Sequence, residues 1–94
     1  MTQQQEEPME TVVNAIVSSS SVDRGKIEPE SWLVRDLGLE SIDLLELNFE
    51  LEQKTGVQVN FAEIIFEVQK KTNSLSRDLR VNDLVNHLVK NGKG

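Results

Sequence analysis

The feature that most restricts this chain is a run that reads as helix yet carries apolar residues on two sides. From Ser41 to Thr55, taken at about 100° per residue, Leu44, Leu47 and Leu51 fall on one stripe. Ile42, Leu45 and Phe49 form a second stripe nearly opposite, and Asp43, Glu46 and Glu50 line the sector between them. The turn Asp36-Leu37-Gly38-Leu39 leads into the run, and Gly56 follows it where a left-handed C-terminal cap is wanted. A surface helix of a small domain needs one apolar face. The second stripe must therefore meet another helix of a bundle, an apolar ligand or a partner protein.

One serine, Ser41, stands where loop becomes helix. The first four N–H groups of a helix have no internal partner, and the macrodipole places partial positive charge there. A hydroxyl at that junction is either a cap or a handle for an anionic group such as a phosphate.

The flanking sequence predicts more helices. Pro8 suits a first turn, and Met9, Val12, Val13, Ile16 and Val17 recur at helical spacing. The serines from 18 to 21 read as a helix end and loop in preference to a phosphorylation cluster. Residues 22–35 form a long connection with Gly25 and the Glu28-Pro29 pair, for which Ile27, Trp32 and Leu33 are the expected anchors, Trp32 plugging into the core. Asn60 can cap a helix with Ile64, Ile65 and Val68 inward and Phe66 elsewhere, ending in Lys70 and Lys71. A polar loop over residues 73–78 then precedes a last helix, with Val81, Leu84, Val85, Leu88 and Val89 in register, up to Asn91-Gly92. Residues 1–7 are polar and expected to be unstructured, leaving a single all-α domain for the 94-residue chain.

Composition narrows the function. With no Cys, disulfides, thiol catalysis and Cys-ligated zinc are excluded, and one His (His87) excludes a His-rich metal site. A Ser41–His87–Asp catalytic set has no nucleophile elbow to support it, so no catalytic residues are assigned. The start lacks a signal-peptide pattern and no apolar run approaches ~20 residues, so a soluble, cytoplasmic protein without a transmembrane segment is expected. Residues 1–53 hold 12 acids against 3 bases, a net −9, whereas residues 54–94 hold 4 against 7, a net +3. The segment from Asp36 to Gln53 has six acids and no base. That face disfavours nucleic acid and favours partners with basic docking patches, the plainer alternative being a solvated helix face.

The motif Asp36-Leu37-Gly38-Leu39-Glu40-Ser41-Ile42-Asp43, followed by Leu45-Glu46-Leu47, Leu51-Glu52 and Gly56-Val57, resembles the acyl carrier protein family and its D-L-G-x-(D/E)-S-(L/I)-D signature. The resemblance is strong over residues 33–57, fair over the first and last helices, and poor from Phe61 to Asp78. It implies a four-helix bundle of the acyl-carrier type, with a long first loop and an extended third-helix region. It also implies that Ser41 carries a 4′-phosphopantetheine arm. A phosphopantetheinyl transferase (holo-carrier synthase) would attach the arm, by attack of the hydroxyl on the pyrophosphate of coenzyme A. Acyl groups would ride on its thiol as thioesters, the protein itself being no enzyme and a monomer.

Carried over residue by residue, the resemblance makes Glu40, Asp43, Glu46 and Glu52 an acidic docking face and Ile42, Leu45 and Phe49 its apolar stripe, with Glu50 an extra acid. The partners it implies are acyl-transferring or condensing enzymes with basic patches. A sheltered acyl chain would lie among Leu45, Leu47, Leu51, Ile64 and Leu84, residues that otherwise simply fill the core. Gln53, Lys54 and Thr55 depart from the usual pattern and put recognition by ordinary fatty-acid enzymes in question. The turn, Phe49 and the long third region are similar to specialised bacterial carriers that deliver long hydroxyacyl chains to lipid A. A peptidyl or polyketide carrier, and a non-carrier helical adaptor of the same fold, stay open as alternatives.

Overall fold

Apolar spacing decides where the helices form and which way they face. The computed structural model describes residues 7–73 and 77–91. These residues contain α1 (Pro8–Ser19), a 3₁₀ turn (Arg24–Lys26), α2 (Ser41–Thr55), α3 (Phe61–Thr72) and α4 (Val81–Asn91). The expected unstructured start lies outside them except for Glu7, whose carbonyl accepts the Thr11 N–H at 2.9 Å as α1 begins. Of the expected polar loop, residues 74–76 also lie outside them. No helix among the described residues is long and apolar enough to cross a membrane.

Pro8 occupies the first turn of α1, where a missing N–H removes no hydrogen bond. At the end of α2, Gly56 takes φ +74° and returns its N–H to the Glu52 carbonyl at 2.8 Å. Asn60 caps α3 by accepting the Glu63 N–H at 3.2 Å.

Helix α1 packs against both α2 and α4, and α3 against α4. Val12, Ala15 and Ile16 of α1, Leu47 and Leu51 of α2, Ile64 of α3, and Val81, Leu84 and Leu88 of α4 share one buried cluster. Each large aliphatic side chain fully buried there contributes about 1.5–3 kcal/mol. In α1 the inward face centres on Thr11, Val12, Ala15 and Ile16, leaving Met9, Val13 and Val17 half-buried at its flanks.

Two expectations need correction. Val89 is exposed, because it sits about 80° round the helix from Val81, at the edge of the inward arc. Trp32 is not the plug of the first loop. It stays half-buried while Leu33 takes the core position, and the Arg35 and Arg80 guanidiniums lie 5.0 and 4.4 Å from the indole centroid. An indole that finds two cations at the surface gains a favourable contact without full burial. Trp32 and Arg80 also form an isolated antiparallel bridge. Around it the Leu33 N–H donates to the Leu79 carbonyl at 2.8 Å and the Val81 N–H to the Ser31 carbonyl at 2.9 Å. The long loop is thus sewn to the segment that enters α4.

Candidate functional site

The N-terminus of α2 is positioned by the loop before it. Leu33 and Leu39 are buried, and between them the chain closes on itself: the Leu37 N–H donates to the Trp32 carbonyl, Gly38 to Val34, and Leu39 to Leu33, each at 3.0 Å. Gly38 adopts φ +69°, which a side chain would strain. Carboxylates hold the outside of the turn. Asp36 accepts the Trp32 N–H at 2.8 Å, and Asp78 accepts those of Val34 at 3.0 Å and Arg35 at 2.8 Å.

At the junction itself the capping is done by neighbours of Ser41. Glu40 is the N-cap residue, its carbonyl accepting the Leu44 N–H at 2.9 Å, and the Asp43 carboxylate reaches back to the Glu40 N–H at 3.0 Å. This is the reciprocal arrangement of a capping box with acids in both roles. Ser41 is therefore the first residue inside the helix. It is exposed, and its hydroxyl makes no hydrogen bond to a described residue. The cap role open to Ser41 in the sequence is taken by Glu40 and Asp43.

Of the stripe beyond it, Ile42, Leu45 and Phe49 are 62%, 66% and 61% exposed, far more than an apolar side chain with an intramolecular partner. Glu40, Glu46 and Glu52 are exposed as well. Asp43 and Glu50 are not part of that open face. Both are half-buried, Asp43 in the cap and Glu50 accepting the Ser18 hydroxyl of α1 at 3.3 Å. Beside the junction a polar cleft of about 410 Å³ opens between residues 20–26 and the turn, where, among the described residues, Lys26 is the one cation against Asp23, Asp36, Glu40 and Asp43.

The residues expected around an acyl chain divide. Leu47, Leu51, Ile64 and Leu84 come together in the buried cluster, whereas Leu45 points outward. A separate cleft of about 500 Å³ runs between α3 and α4 over Ile64 and Val68, rimmed by charged and amide side chains. Sequence reasoning passed over two residues. Asp78, more than forty positions from the turn it holds, gave no local signal. Asn48 did carry one, a polar residue beside the apolar stripe of α2, and its Oδ1 is buried with no hydrogen-bond partner.

A family model described as "Phosphopantetheine attachment site" matches residues 10–79. An acyl carrier protein of Campylobacter concisus is 32% identical over 84 residues, 89% of this chain and 95% of that protein. "Acyl carrier protein AcpXL" of Rhizobium meliloti is 32% identical over 59 residues, 63% of this chain, and that of Rhizobium etli 35% identical over 48 residues, 51% of it. The matches span 62% and 52% of those two proteins.

Proposed function

The chain belongs to the acyl carrier protein family, and on that premise we propose that Ser41 bears the 4′-phosphopantetheine arm and that the protein carries acyl groups on it. The observation that supports this most is the Ser41 hydroxyl: exposed, unbonded and relieved of capping duty at a helix N-terminus. Attachment would join the serine oxygen to the pantetheine-bearing phosphorus of coenzyme A as a phosphodiester. The P–O–P bridge breaks, adenosine bisphosphate leaves, and the serine proton passes to the transferase or to water. The N-terminal end of α2 would stabilise the phosphodiester by about 0.3–1 kcal/mol. Glu40 and Asp43 oppose it electrostatically and would leave the phosphodiester mobile. The arm's thiol supplies the thioester chemistry.

The exposed stripe Ile42, Leu45 and Phe49, with Glu40, Glu46 and Glu52 around it, is the docking surface in this reading. It suits a transferase and acyl-handling enzymes that present basic patches around an apolar contact. Those enzymes belong, on this proposal, to fatty-acid and lipid synthesis, lipid A acylation among them. Intact mass after incubation with coenzyme A and a broad-specificity phosphopantetheinyl transferase tests the assignment. A gain of one phosphopantetheine, absent in Ser41→Ala, is expected. An unchanged wild-type mass, with a known carrier modified in parallel, would leave a non-carrier adaptor as the better reading.

A further inference from the structure

Among the described residues, Asn48 alone has a buried side-chain atom without a partner, its Oδ1. The other polar side chains of α2 are exposed or bonded: Asp43 to the Glu40 N–H, Glu50 to the Ser18 hydroxyl, Thr55 to the Leu51 carbonyl. An acceptor removed from water and left unpaired is the unfavourable case, and native structures retain few of them.

Its place on the helix is what gives the orphan meaning. Seven residues beyond Ser41 is two turns, about 10.5 Å along the axis and only about 20° round it. Ser41 and Asn48 therefore share a face. One turn below Ser41, between the two, that face is bordered by the half-buried Leu44 and the exposed Leu45. A chain tethered at Ser41 and drawn in beside these leucines would come within reach of the Asn48 carbonyl oxygen, which is buried and unsatisfied. A track built for plain hydrocarbon would be better served by an apolar residue at 48, because sealing hydrocarbon over the amide leaves the oxygen still unpaired.

We propose that Asn48 reads the Ser41-borne chain: its Oδ1 accepts a hydrogen bond from an N–H or O–H donor on that chain. Two sources offer such a donor, an amide of the arm itself and a hydroxyl on the acyl group. The consequence is a preference for a chain bearing the donor over the analogue that lacks it. This inference rests on Ser41 being the attachment site.

The test uses the full chain, loaded enzymatically from coenzyme A derivatives with the bare arm, a saturated acyl group, or a 3-hydroxyacyl group of the same length. The Asn48 ¹³Cγ resonance is followed by NMR and the melting temperature by circular dichroism. A resonance shift already present with the bare or saturated chain assigns the donor to the arm; one confined to the hydroxyacyl form assigns it to the acyl hydroxyl. Gaining one hydrogen bond of ordinary strength should raise Tm by about 4–8 °C. Asn48→Leu, which keeps the number of side-chain heavy atoms but has no polar one, should lack that increment. An Asn48 resonance unmoved in all three forms overturns the proposal, as does an equal Tm gain in Asn48→Leu. Failure to load Ser41 at all is a different result, seen as an unchanged mass, and counts against the attachment site instead.

Discussion

Replacing Ser41 and Asp43 by alanine, one at a time, separates a helix cap from a free hydroxyl. If Ser41 capped α2, its loss would remove about 0.5–2 kcal/mol. In the structure it is the first residue inside the helix with no hydrogen bond, and alanine has a slightly better helix propensity. Ser41→Ala should therefore stay within about 0.5 kcal/mol of wild type. Asp43→Ala loses the charged acceptor of the Glu40 N–H at 3.0 Å. That contact is worth about 1 kcal/mol and the dipole term about 0.3–1 more, against a gain in helix propensity of up to ~0.7. A net loss of about 1 kcal/mol is expected. Urea unfolding of the unmodified proteins, followed by circular dichroism, reads the difference as a midpoint lowered by roughly 0.3–1 M for Asp43→Ala and barely moved for Ser41→Ala. A Ser41→Ala midpoint as low as that of Asp43→Ala would return Ser41 to the role of cap.

Leu47→Ala and Leu45→Ala, two positions apart, should differ sharply: about 2–5 kcal/mol lost at the buried site and under ~0.5 at the exposed one, by the same urea titration. Gly56→Ala should lower stability by about 1–2 kcal/mol from backbone strain alone, since φ is +74° and an added Cβ meets nothing within 4 Å; a smaller loss would mean the cap rearranges. Asp78→Ala removes the acceptor for the Val34, Arg35 and Leu79 N–H groups. It should destabilise by about 1–2 kcal/mol and speed hydrogen exchange at Val34 and Arg35, whereas unchanged exchange there would show that Asp78 does not hold the turn.

How far the sequence could be read depended on whether the deciding contact was local. The two stripes of α2 are local and legible from spacing, but that Leu47 and Leu51 turn inward while Ile42, Leu45 and Phe49 turn outward is decided by which side α1 packs against. The caps at Asn60 and Gly56 are equally local, each set by one residue and its near neighbours. Trp32 departs from expectation because its environment is made by Arg80, which the chain brings alongside only through the bridge. Asp78 was invisible for the same reason. At the junction both roles for Ser41 were legible, but deciding between them needed the position of the Asp43 carboxylate, a matter of side-chain geometry. Glu50, the extra acid beside the docking residues, is half-buried and accepts the Ser18 hydroxyl of α1, a contact that its own helix does not announce.

If the oxygen at position 41 is the point of attachment, a single peptide of this chain reports it. Trypsin cleavage after Arg35 and Lys54 releases residues 36–54, in which Ser41 is the only hydroxyl-bearing residue. Tandem mass spectrometry of that peptide, from protein isolated from its native cells, should find it carrying phosphopantetheine, free or acylated. Finding the peptide unmodified throughout, in cells whose other carriers are loaded, would mean that Ser41 is not the attachment site.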